Sequence, residues 1–197
     1  INENDFNFSD IENICSQLDC KIDIKHKVIK QKNWNAKWES DFQPKTIGSK
    51  CGIRADFHEP LDVEYEIIIT PKMSFGTGHH ATTYGMIEAM LSLDFQEKRV
   101  LDMGCGTAIL AILAHQLGSN EIYAIDIEEW AYNNSLENIS MNGSSNIVVH
   151  KGGKEKIEGE FDIILANINR NILIQDMYAY SSPVSYTHLR AHETQSD

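Results

Sequence analysis

The sequence predicts an α/β protein built on a doubly wound, mostly parallel sheet, cut short after about its fourth strand and preceded by the remnant of an N-terminal α+β domain. Three observations carry this expectation. From residue 79 onward, strand periodicity alternates with helical periodicity; the first of those strands runs into a turn holding Gly104 and Gly106; and the second ends at Asp126, 20 residues beyond Gly106. Strands that alternate with helices require right-handed crossovers, which lay a parallel sheet between two helical layers.

Residues 1–32 hold an acidic, Asn-rich start, a helix from Ser9 to about Leu18 capped by Ser9 or Asp10, and the alternating stretch KIDIKHKVIK, a strand by its period of two. This is too little for an independent core. Residues 33–70 read as a linker helix followed by strands. Trp34, Trp38 and Phe42 share one helical face that ends before Pro44, and strands are expected around Lys50 to Asp56 and Tyr65 to Thr70. The aromatic stripe reads as packing. Residues 71–182 form the main domain: a helix over 81–92, the strand RVLDMGC, a helix from about 107 to 117, the strand EIYAID, a helix over 129–141, and the strands NIVVH and FDIILAN. The last stretch, 183–197, follows Pro183 with no strand or helix periodicity, reads as a non-native tail such as translated adapter, and is left out of the predicted fold.

Composition narrows the function classes. In 197 residues, 42% hydrophobic and 23% charged, there is room for one main core and a small appended element. A net charge of −12 argues against an electrostatic grip on nucleic-acid phosphates. It would attract a basic protein partner, or it only keeps the chain soluble. The four cysteines, Cys15, Cys20, Cys51 and Cys105, make no CxxC pair and no metal-ligand spacing, so neither a metal nor a disulfide frame is expected, and a reducing cytoplasm suits them. No apolar run approaches the roughly 18 residues of a membrane span. His188 and His192 could imitate a metal pair, but they fall in the tail.

The chemistry is expected at the carboxyl ends of the strands. In VLDMGCGTAILA, Gly104 and Gly106 let a ligand approach the backbone with no Cβ in the way, and Asp126 can accept hydrogen bonds from both hydroxyls of a ribose. Nicotinamide dinucleotides use the same geometry. Their third glycine would fall at Ile109, however, which weakens a pyrophosphate site. Cys105 has no base paired with it and reads as structural. Asn167, in LANIN, either presents its carboxamide oxygen to an amine or caps the helix that starts near Asn169.

DMGCGTA followed by an acidic strand end resembles the first two motifs of class I methyltransferases that bind S-adenosylmethionine, a Rossmann-like fold. FGTGHHATT, then VLDMGCGTAILA, AIDIEEW and LANI, together with NWNAKWESDFQP, closely resemble the bacterial methyltransferase family that modifies large-subunit ribosomal protein eleven; the resemblance runs from about Asn33 to Met177. It implies that S-adenosylmethionine is contacted by Thr83, Gly104, Asp126 and Asn167, with Gly106 in the same turn. It also implies direct methyl transfer to an amine, a lysine side chain or N-terminus, with Asn167 as the catalytic residue. Phe75, Gly76, Thr77 and Gly78 are expected to form a lid, with Phe75 an apolar wall, and one of His79 and His80 is expected to line the pocket. The helix start at Ala81, Thr82 and Thr83 offers free N–H groups and hydroxyls to a carboxylate. The family usually has glycine where Ala108 stands, read here as a tolerated change in a helix first turn. It also carries an N-terminal recognition domain, of which 1–32 is expected to be the end, and further strands after the fourth, so the chain reads as the cofactor half of an enzyme. A basic ribosomal protein is the expected partner, with no nucleic acid or membrane contact and a monomeric state. Competing readings are an NAD-dependent oxidoreductase and a non-catalytic cofactor-binding module.

Overall fold

The computed structural model describes Ile14, Gln17 and residues 42–70, 80–181 and 190–192. The chain divides into two compact units, Ile1–Asn33 and Trp34–Asp197. In the first, the Gln17 N–H donates to the Ile14 carbonyl at 3.2 Å, one turn within the stretch predicted as helix. The strand KIDIKHKVIK and the stripe from Trp34 to Trp38 lie outside the described residues.

The second unit opens with a small sheet: β1 (Lys45–Ile47), β2 (Cys51–Arg54) antiparallel to it, and β3 (Tyr65–Ile68) parallel to β2. The strand β1 was not predicted. Pro44 before it and Gly48 after it, at φ +57°, leave only three residues to show a period. Arg54, nearly buried on β2, joins β2 to β3: its Nη2 donates to Glu66 Oε2 at 2.9 Å and its Nε lies 2.8 Å from Oε1. The other guanidinium nitrogen holds the Ala55 and His58 carbonyls, so one charge fixes the long connection between the two strands. Ile47, Ile53, Ile67 and Ile69 are fully buried and pack with Met86, Ile87 and Met90 of α1 (Ala81–Met90).

The main sheet contains β4 (Arg99–Met103), β5 (Glu121–Asp126), β6 (Ile147–Lys151), β7 (Ile163–Asn169) and β8 (Arg190–His192) in the order β6-β5-β4-β7-β8, every neighbouring pair parallel. The helices α2 (Ile109–Gln116), α3 (Glu129–Met141) and α4 (Arg170–Ser181) connect them. Because strand side chains alternate, Val100, Ile163 and Leu165 join one core with α1, α2 and Ile139 of α3. Leu101, Met103, Ile164 and Ala166 form a second core with Leu173 and Tyr180 of α4. Helices on opposite faces make the sheet doubly wound, as predicted. Among the described residues no helix is long and apolar enough to cross a membrane.

Two local expectations are corrected. The helix predicted from about 107 starts at Ile109, because Ala108 sits in the left-handed region at φ +61°, ψ +22°. And 183–197 is not without regular structure: Arg190–His192 pairs with Asn167–Asn169 as a short parallel edge strand. Three residues following a proline-bounded polar stretch carry no alternation that could have announced it.

Candidate functional site at the carboxyl ends of β4, β5 and β7

The order β5-β4-β7 places the turn after β4 at the point where the chain reverses its direction of winding, the crevice where open α/β sheets bind ligands. Three positive φ values follow one another in it: Gly104 at +70°, Gly106 at +55° and Ala108 at +61°. Such a turn needs external restraint to persist. The N–H groups of Gly104 and Cys105 both donate to the Ile125 carbonyl on β5, at 2.8 and 3.1 Å, and the Gly106 N–H donates to Asp126 Oδ2 at 2.8 Å. At Gly104 a side chain is excluded twice over: besides the positive φ, a Cβ would lie 2.3 Å from Ile168 Cγ2 on the adjoining strand.

Asp126 closes β5 and is nearly buried. While Oδ2 takes the Gly106 amide, Oδ1 accepts from the Glu128 N–H at 3.0 Å, shaping the lead into α3. Each carboxylate oxygen keeps a second lone pair. Beside it, Ile127 is 70% exposed and Trp130 is 47% exposed, two apolar groups flanking an acid at the rim of the crevice.

Thr83 and Asn167, distant in sequence, meet here: Asn167 Nδ2 donates to Thr83 Oγ1 at 3.1 Å. Period two on β7 explains the meeting, since Ile163, Leu165 and Asn167 point to the face that α1 covers. Committing the carboxamide nitrogen to Thr83 leaves Oδ1 as the acceptor. The capping alternative for Asn167 is set aside, because Asn169 fills that role, its Oδ1 accepting from the Asn171 N–H at 2.8 Å. His80 caps α1, its Nδ1 lying 2.8 Å from Thr82 Oγ1 and accepting from the Thr82 N–H. Phe75, Gly76, Thr77, Gly78 and His79 lie outside the described residues.

Asp102, the first residue of DMGCGTA, carries no signal of its own role in the sequence. It is buried behind the glycine turn, and its Oδ2 accepts from the Ala111 N–H at 3.2 Å. That bond satisfies a first-turn amide of α2 which Ala108, lacking a polar side chain, leaves open. Burial pushes its carboxyl up to about 7, with the neighbouring Asp126 charge adding to the rise and the Ala111 amide opposing it. Burial likewise raises the Cys105 thiol well above its ordinary range, helped by Asp102 and Asp126, so the sulfur stays protonated and structural. Among the described residues no group of His, Cys, Asp and Glu could hold a metal ion.

The parallel α/β sheet, with a glycine turn on its first strand and an acid on its second, is shared by dinucleotide-binding and class I methyltransferase folds, and the relatives of this chain place it in the second. The chain belongs to the ribosomal protein L11 methyltransferase family, whose model matches residues 3–186. It is 49% identical over 168 residues to a ribosomal protein L11 methyltransferase of Phocaeicola vulgatus, covering 83% of this chain and 60% of that relative. It is 46% identical over 166 residues to one of Bacteroides fragilis, covering 82% and 59%. The chain thus spans about 60% of the length of the curated relatives it matches. A crystal structure of a ribosomal protein L11 methylase from Lactobacillus delbrueckii subsp. bulgaricus superposes with a TM-score of 0.66 at 27% identity, covering 73% of this chain and 76% of that one.

Proposed function

We propose that this chain is the cofactor-binding part of an S-adenosylmethionine-dependent methyltransferase that modifies amines of ribosomal protein L11, with residues 1–32 the end of a recognition domain. The reading rests on the convergence of Gly104, Gly106 and Asp126 with the Thr83–Asn167 pair along one sheet edge. The cofactor would supply a methyl group on a sulfonium, transferred directly to nitrogen. Asp126 would accept the ribose hydroxyls through its remaining lone pairs, and Ile127 would lie against the base. The turn at Gly104 would let the methionine portion pass close to the main chain, an approach that the excluded Cβ keeps open.

Asn167 would orient the acceptor. A lysine amine, with an ordinary pKa of about 10.4, must lose a proton to attack. An uncharged amine donating to Asn167 Oδ1 would hold its lone pair toward the methyl group, and positioning of this kind can supply about 7–11 kcal/mol of the barrier. Acidic surface, from a net charge of −12, suits a basic protein partner, and the buried unpaired thiols Cys51 and Cys105 suit a reducing cytoplasm.

Calorimetric titration with S-adenosylmethionine and with NAD, beside single-turnover methylation of L11 by the chain extended to the family's full length, tests this. S-adenosylmethionine should bind and NAD should not. Asp126→Asn should chiefly weaken binding, whereas Asn167→Ala should chiefly slow transfer. The opposite ordering would overturn the assignment.

A further inference from the structure

Helix α3 meets the rest of the domain through carboxamides as well as through the aliphatic Ala131 and Ile139. Asn134, Asn138 and Asn142 recur every fourth residue along one face, with Ser135 beside them, and Asn134, Ser135 and Asn138 are buried to 1% exposure or less. A fully buried amide in a helix is costly unless its atoms are matched one for one. Asn138 is matched in an informative way. Its Oδ1 accepts from the Thr70 N–H at 2.8 Å, just past β3, and its Nδ2 donates to the Thr107 carbonyl at 2.9 Å, inside the glycine turn. Asn142 grips β3, accepting from the Ile68 N–H at 2.9 Å and donating to the Ile68 carbonyl at 2.6 Å, and its Nδ2 also donates to the Asn138 main-chain carbonyl at 2.7 Å.

We propose that Asn138 is a positioning residue for the cofactor site, its single carboxamide fixing the left-handed glycine turn against the end of β3; the inference rests on the methyl-transfer reading of that turn. Asp126 and the Ile125 carbonyl restrain Gly104, Cys105 and Gly106 from the β5 side. Asn138 restrains Thr107 from the α3 side. The three positive φ values fall at and next to these anchored residues, and loss of one anchor lets the turn relax toward ordinary helix, closing the space that Gly104 and Gly106 keep open. Asn142, with no bond to the turn, supplies the built-in comparison.

The test uses the chain itself in three variants: Asn138→Leu, which removes both bonds; Asn138→Asp, which keeps an acceptor for Thr70 but sets a carboxylate against the Thr107 carbonyl; and Asn142→Leu, which removes the bonds to β3 and to the Asn138 main chain but none to the turn. Amide hydrogen exchange without ligand and calorimetric titration with S-adenosylhomocysteine are measured on each, with circular dichroism confirming the fold. Both Asn138 variants should lose protection at Gly106 and Ala108 while the β4 amides Leu101 and Asp102 keep theirs, and should bind about tenfold more weakly. Asn142→Leu should lower the melting temperature yet bind within about twofold of the parent. The proposal is overturned if both Asn138 variants retain parental protection in the turn, if Asn138→Asp behaves as the parent, or if β4 loses protection together with the turn. Should the unsubstituted chain fail to bind S-adenosylhomocysteine, the methyl-transfer reading falls, while the exchange data still decide whether Asn138 holds the turn.

Discussion

Replacing Gly104 with alanine separates two reasons for glycine at the heart of the site. The backbone reason is φ +70°, where an L side chain costs about 1–2 kcal/mol. The packing reason is the 2.3 Å approach of the new Cβ to Ile168 Cγ2, against an optimal carbon–carbon separation of about 3.5–4.0 Å. Ile168 cannot easily turn away: β-branching makes its χ1 stiff, and the preceding Asn167 is tied to Thr83. Overpacking of this kind costs about 1–3 kcal/mol, so Gly104→Ala should lose about 2–5 kcal/mol in all. In an Ile168→Ala background the contact is gone and only the backbone part should remain. Urea denaturation of the four proteins completes a double-mutant cycle, with an expected coupling of about 1–3 kcal/mol. A coupling near zero would refute the close approach of β7 to the turn. A total loss below about 0.5 kcal/mol would refute the left-handed conformation as well.

Ala108→Gly should leave stability within about 0.5 kcal/mol of the parent, because relief at φ +61° is offset by a lost buried methyl and a freer unfolded chain, whereas Ala108→Val should cost more than about 2 kcal/mol; urea midpoints check both. Asp102 holds its proton in the folded state up to about 7, while the unfolded carboxyl releases its own near 4. Its contribution to stability is therefore complete only below about pH 4 and is lost progressively as pH rises through 7. Asp102→Asn should remove that decline and gain up to about 4 kcal/mol at pH 8, and an unchanged slope of stability against pH between 4 and 8 would refute it. Turnover of the full-length family enzyme should rise between about pH 7 and 9 as the acceptor amine loses its proton; with chemistry rate-limiting, a flat profile would argue against amine activation.

Where periodicity and turn chemistry agreed, the elements were legible to the residue: Glu121–Asp126 as strand and Glu129–Met141 as helix match their predicted bounds. Ala108 was misread for a physical reason. The apolar run AILAILA begins at it, so periodicity extends the helix backward over a residue whose backbone is left-handed. Asn167 and Asn169 are both asparagines beside a helix start, and only the hydrogen bonds reveal that the second caps it while the first reaches Thr83. Asn138 was invisible because asparagine on a helix reads as solvated surface; no local signal marks an amide whose partners lie 68 and 31 residues away. Asp102 stood in a quoted motif, yet its link to Ala111 depends on where α2 begins, which was the misplaced boundary.

Asp126 arrives with its aim already set. Each oxygen is tethered to the main chain of a different segment, Gly106 on one side and Glu128 on the other, so the carboxylate has no rotamer left to surrender when a sugar docks. Ordering a free acidic side chain at an interface costs about 0.5–1.5 kcal/mol. Here folding has absorbed that loss, so a vicinal diol binding as proposed would meet no such cost.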